Sequence, residues 1–213
     1  MHIEFLVEDS SGAKLIEALV PKIIGFDDPP HTWKCHKYKG SGRIPKNKTS
    51  VNDVQKEMLL DDLPRRLKAY GKTDYIGAVV VVVDTDRRNC SEFLAELQAV
   101  ASKCDPKPKT LFCLATEEIE AWYLGDRQAI ITAYPKAKKK TLDGYVQDSV
   151  CGTWELLANA LYPKGVDAVK HPGQLKHEWA DSIPKHMKIE DNVSPSFNNF
   201  VNGLRQLTSS TVV

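Results

Sequence analysis

The chain reads as an α/β protein: a mostly parallel sheet with helices on both faces, ending in a helical C-terminal extension. Three observations predict this. Apolar, strand-like runs alternate with segments of helical periodicity up to about residue 134, the pattern of parallel strands joined by crossover helices. Ile76 to Val83 is nearly all valine, as in a central strand covered on both faces. From about Pro135 strand signals stop, and Trp154 to Leu161 and Phe197 to Leu207 read as helices. The expected division is 1–134 for the α/β domain and 135–213 for the extension packed on it.

Ile3 to Val7 is a buried strand. Ser10, Ser11 and Gly12 turn the chain into a helix whose apolar positions Ile16, Leu19, Val20, Ile23 and Ile24 fall at helical spacing. Pro21 is expected to kink that helix or end it early. Asp27 to Pro30 form a turn. His31 to Tyr38 is a second strand, and Lys39 to Thr49 a basic loop. Val51 to Tyr70 reads as a helix with Val54, Met58, Leu59, Leu63 and Leu67 near its core face, split by Pro64. After the valine strand, Ser91 caps a helix through Val100 with Phe93, Leu94 and Leu97 facing inward. Leu111 to Ala115 is the next strand, and Thr116 caps a helix carrying Glu117, Glu118, Glu120 and Trp122. Trp122, Trp154 and Trp179 are expected as core anchors between extension and sheet.

Composition narrows the class. The net charge is +1, so only local patches can argue for a nucleic-acid partner. The five cysteines form no CxxC pair, which fits a reducing compartment and free thiols. MHIEFLVED carries acids where a signal peptide carries basic residues, and the longest apolar run is far short of the ~20 residues a membrane helix needs. A cytoplasmic protein without a membrane partner is expected. No GxxxxGK[ST] occurs, so ATP is not bound through a P-loop. His31, Cys35 and His36 lack a second pair at ligand spacing, so zinc is not expected.

Asp84 and Asp86 stand in VVVVVDTDRR, at the carboxyl end of the central strand, the edge where open α/β sheets bind ligands. Alternate residues of an extended strand project to one side, so both carboxylates reach one point. Such like charges repel unless a cation or a proton intervenes, and a hard oxygen-seeking cation suits them. Glu8 holds the equivalent place after the first strand. Glu117, Glu118 and Glu120 follow the last strand, and spacing does not choose among them. Lys34, Lys37, Lys39, Arg43, Lys46 and Lys48, with Trp33 and Tyr38 interleaved, suit a phosphate backbone with stacked bases. Arg87 and Arg88 follow the DTD directly and can neutralise a phosphate. A phosphohydrolase with an aspartyl nucleophile would need a DxDx[TV]-like context, which Asp86-Arg87-Arg88-Asn89 does not supply.

Carboxylates after three successive strands resemble the Toprim domain of topoisomerases, primases and OLD-type nucleases, in which a glutamate follows the first strand and a DxD a later one. Glu8 matches the first position, and Asp84 and Asp86 the pair. A closer resemblance spans almost the whole chain. FLVEDSS (5–11), VVVVVDTDRRNC (79–90), ATEEIEAWYLGD (115–126), GTWELLANALYP (152–163) and SPSFNNFVNGLRQL (194–207) are similar to a family of small bacterial Toprim-like proteins, classed as a domain of unknown function and often encoded beside ATPases. The resemblance implies Mg²⁺ (or Mn²⁺) held by Glu8, Asp84 and Asp86; Glu118 or Glu120 is expected to complete the site as ligand or base. It implies phosphodiester cleavage of DNA or RNA, a partner ATPase and a role in phage defence. The alternative from another class is a non-catalytic Toprim-like subunit that binds and assembles with an ATPase.

Overall fold

The computed structural model describes residues 1–45 and 57–209. Lys46, Lys48, Val51 and Val54 of the expected loop and helix lie outside these residues. Four strands, β1 (His2–Val7), β2 (Thr32–Lys37), β3 (Ile76–Asp84) and β4 (Thr110–Ala115), form one sheet in the order β2-β1-β3-β4. Every pairing is parallel. The valine strand is internal, between β1 and β4, as its apolar run predicts. The α/β class and the helices on both faces follow the sequence reading and are consistent with a Toprim-like arrangement.

Strand parity sorts the core. Ile3, Phe5 and Val7 join Ala78, Val80 and Val82 on one face, while Leu6 joins Val79, Val81 and Val83 on the other. The second face is covered by α2 (Leu59–Gly71) and α3 (Cys90–Ser102), through Leu59, Leu63, Leu67, Phe93 and Leu97. The first is covered by α1 (Ser10–Ile24) and by the C-terminal helices. Those are α4 (Glu120–Leu124), α5 (Arg127–Ala133), α6 (Lys139–Asp143), α7 (Thr153–Leu161), α8 (Pro172–Ser182) and α9 (Pro195–Ser209). One apolar cluster runs from Phe5 and Val80 into Trp179, Phe197 and Phe200. Trp122 stacks on Phe200 at 5.0 Å and meets Phe197 edge-on at 5.6 Å. A buried aromatic of this size contributes roughly 2–3 kcal/mol by area alone, so extension and sheet share their core. Trp122 and Trp179 are fully buried, whereas Trp154 is only partly so.

Several local expectations need correction. The cap of α1 is Asp9, whose carboxylate accepts from Gly12 N–H at 2.6 Å, and Ser10 to Gly12 are already helical. Asn89, and not Ser91, caps α3, and Cys90 opens that helix exposed to solvent. Both pairs contain good cap residues, and only the backbone chooses between them. Pro21 and Pro64 lie inside α1 and α2, which continue past them. Of the helix expected over Val51 to Tyr70, the described part is helical from Leu59 and not at Glu57 or Met58. Thr116 caps nothing; α4 begins at Glu120 without a side-chain cap, and the Thr116 hydroxyl donates to Asp148. No helix among the described residues is long and apolar enough to cross a membrane.

Candidate carboxylate site

A parallel sheet brings the carboxyl ends of its strands to one edge. Val7 pairs with Val82 and Asp84 with Ala115, so the residues after β1 and β4 flank the end of β3. The Glu8 carboxylate accepts from the backbone N–H of Asp84 at 3.0 Å. Burial pushes the Glu8 carboxyl up from 4.5 to about 7; Asp86 and Asp9 add to the rise, and the Asp84 N–H and Arg88 oppose it. Burial also drives Asp84 well above the usual carboxylate range, and its neighbours Glu8 and Glu120 push the same way.

Of the three glutamates after β4, Glu120 is the one left facing this pair. Glu117 accepts from the N–H groups of Gly152 at 2.6 Å and Thr153 at 2.9 Å, and so closes the N-terminus of α7. Glu118 accepts from the Thr153 hydroxyl and the Trp154 N–H, each at 3.2 Å. Glu120 is 1% exposed. Burial raises it to about 7, against the pull of Lys176.

Lys176, on α8, is the residue that sequence reasoning missed. Its ammonium donates to Glu118 at 3.1 Å and Glu120 at 3.3 Å. Burial pulls its pKa down, but Glu120, Glu118 and Asp84 outweigh that and hold it charged. A signal existed: Lys176 shares a helix face with the buried Trp179 and Ala180, so it is a cation on an apolar stripe. Its partners lie 56 and 58 residues away, which no local spacing reveals.

Asp86 departs from its expected place. It has left the strand with φ 49°, so the alternation that would align it with Asp84 stops before it. Its N–H donates to the Glu117 carbonyl at 2.8 Å, and the Glu117 N–H to the Thr85 hydroxyl at 2.8 Å, which stitches the two loops together. The Asp86 carboxylate sits on the exposed rim, 3.2 Å from Arg88. Arg88 also donates to Ser41 at 3.3 Å and lies over the Phe93 ring at 4.4 Å, while Arg87 is exposed. Among the described residues no three His, Cys, Asp or Glu side chains stand together in a ready metal-binding arrangement. Glu8 is turned to a backbone amide, Glu118 and Glu120 to Lys176, and Asp86 to Arg88. By donor chemistry alone, the partly buried all-oxygen set Glu8, Asp84 and Glu120 suits a hard divalent cation.

The basic loop borders this edge. Gly40 N–H donates to the Glu8 carbonyl at 2.9 Å. Lys37, Lys39 and Arg43 are exposed at the end of β2 and beyond it, with Lys39 paired to Glu57. Lys34 lies earlier on β2, and by parity on the opposite face from Lys37. The interleaved aromatics are not free for bases: Trp33 packs edge-on against Phe5, and Tyr38 is buried with its hydroxyl on Asp62. His36 meets the buried Glu4 carboxylate at 2.5 Å. No protein-family model, curated protein or solved structure matches this chain.

Proposed function

We propose that this chain is a Toprim-like, divalent-metal-dependent nuclease or nuclease-like subunit that acts on DNA or RNA phosphodiesters. The observation that carries the reading is Asp84 at the carboxyl edge of a parallel sheet, its N–H on Glu8 and its carboxyl raised by burial and by both Glu8 and Glu120, which burial raises in turn. Structural acids are normally placed where partners lower them; acids held this way suit a site built to receive positive charge. Glu8, Asp84 and Glu120 would hold Mg²⁺ or Mn²⁺, with Asp86 at the rim. When bound, such a cation supplies Lewis acidity and charge neutralisation. Lys176 stands where its ammonium can hold negative charge that develops on a phosphate. Lys37, Lys39, Arg43 and Arg87 would steer the backbone to the edge. The strand-end pattern shared with Toprim domains supports this, as does the α/β sheet that carries it. A partner ATPase and a place in phage defence rest on that likeness alone.

The test is a cleavage assay on single- and double-stranded DNA and RNA with Mg²⁺ or Mn²⁺, alongside thermal shifts with each ion. Metal-dependent stabilisation with turnover is expected, and both vanish in Asp84→Asn. Stabilisation without turnover favours the assembly subunit, in which Lys176 serves as the permanent counter-ion of Glu118 and Glu120.

A further inference from the structure

Beside the carboxylate edge lies an open pocket of about 590 Å³, walled by Asp86, Arg87 and Glu118 on one side and by Val150, Trp154 and Glu155 on the other. Its volume is that of a small-molecule site. Most of its acids are already engaged: Asp86 by Arg88, and Glu118 by Lys176 and α7. Three features remain free to meet a ligand. Arg87 is exposed and makes no ion pair among the described residues, which leaves an anion receptor at the site end. The half-buried Trp154 and the 57%-exposed Val150 supply apolar lining. Oε2 of Glu155 is shut off from solvent and has no hydrogen-bond partner. An acceptor left so is costly, and a donor brought into the pocket would relieve that cost.

An anion, a flat apolar body and an N–H donor in one molecule describe a nucleotide. We propose that this pocket holds the nucleoside of an unpaired nucleotide whose phosphodiester lies at the carboxylate edge, so that the substrate class is single-stranded or frayed nucleic acid. This rests on the phosphodiester reading of the neighbouring carboxylates. A base stacked within a duplex cannot enter such a pocket without being pulled out of its stack. Every natural base carries an N–H donor and a π-face, so the pocket accepts any of them.

The test is calorimetric titration of the full chain, without metal, with nucleoside monophosphates, ribose phosphate and inorganic phosphate. The nucleotides are expected to bind about tenfold more tightly than ribose phosphate, the scale of one base–aromatic stack. Trp154→Ala removes that advantage, while Arg87→Ala weakens all three ligands together. Equal binding with and without the base, or an advantage that survives Trp154→Ala, overturns the assignment. Should Trp154→Ala misfold, photo-crosslinking of bromouridine monophosphate to the wild-type chain decides: a crosslink within residues 150–155 supports the pocket, and one elsewhere refutes it. A chain that cuts nucleic acid in Mg²⁺ but shows no base advantage loses the pocket and keeps the nuclease. One that shows the advantage and never cuts loses the nuclease and keeps the pocket.

Discussion

The carboxylate edge should make the protein less stable as pH rises through neutrality. Glu8 and Glu120 each move from 4.5 to about 7 on folding. The unfolded chain gives up these protons near 4.5 and the folded chain near 7. Between those values the folded state binds more protons, so stability is greatest at the acid end, falls as pH rises and levels off above 7. At about 1.4 kcal/mol per pH unit, one fully buried carboxylate costs ~3 kcal/mol. Glu8 is partly exposed and its share is screened; both act on the same Asp84 and do not add freely, so ~3 kcal/mol is expected for both together. In a chain of this length that is a drop in Tm of roughly 6–12 °C. Acids whose partners hold them low, Asp62 by Arg65 and Arg66 and Asp181 by Lys14, act below this window. The assay is urea unfolding at pH 5 and pH 7.5, wild type against the Glu8→Gln, Glu120→Gln double variant. Gln keeps an oxygen for the Asp84 N–H. The wild type should lose ~3 kcal/mol more than the variant, and Mn²⁺ should restore that loss at pH 7.5 in the wild type alone. Parallel pH curves for the two proteins would refute the reasoning.

Asp84→Asn should abolish cleavage, hold or raise the metal-free Tm by easing repulsion with Glu8, and cancel stabilisation by Mn²⁺; a variant still stabilised by Mn²⁺ would place the metal elsewhere. Lys37→Ala with Lys39→Ala should weaken nucleic-acid binding and lower the slope of log K against log salt by about 1.5–2, with metal affinity unchanged, as read by binding titrations at several salt concentrations. Lys176→Met leaves Glu118 and Glu120 without their ammonium. It should cost ~3 kcal/mol at pH 8 and clearly less at pH 5, where Glu120 is protonated; an equal loss at both pH values would assign Lys176 a packing role only.

The strands were legible because burial on both faces leaves a continuous apolar run, and Val79 to Val83 has no other explanation at that length. The acids that follow them were legible for the same reason: a parallel sheet collects strand ends, so Glu8 and Asp84 had to meet once β1 lay beside β3. Choices made by three-dimensional context were not legible. Trp33 and Tyr38 sit among lysines and read as a stacking surface, yet both turn inward, because β2 is an edge strand whose apolar residues still have a core to cover. Pro64 reads as a break, but Leu59, Leu60, Leu63 and Leu67 bury on either side of it, and that burial outweighs one lost helical hydrogen bond. Lys176 was out of reach because its partners lie more than fifty residues away.

The loops around the edge show what the site is built to keep. Asp86, Glu117 and Asp148 adopt left-handed φ values of 49°, 59° and 54°, a conformation that costs a side-chain-bearing residue ~1 kcal/mol or more and glycine almost nothing. Glycine at any of the three would relieve the strain. Two of them instead carry a carboxylate whose bonds offset the cost. Glu117 gathers the N–H groups that open α7, and Asp148 accepts from the Ser196 N–H at 2.6 Å and the Ser194 hydroxyl at 2.8 Å, which ties the start of α9 to the rim. Asp86 differs. Its own carboxylate is 55% exposed and has only one long contact, 3.2 Å to Arg88, which offsets little, so the fold gains almost nothing from having an acid there. Strain retained without a structural return is the mark of a residue kept for what it meets from outside, and Asp86 stands where the carboxylate edge opens into the pocket. Asp86→Gly should therefore raise the Tm and reduce turnover, whereas Glu117→Gly should lower the Tm by unseating α7. If Asp86→Gly destabilises the chain as Glu117→Gly does, the distinction between the two acids fails.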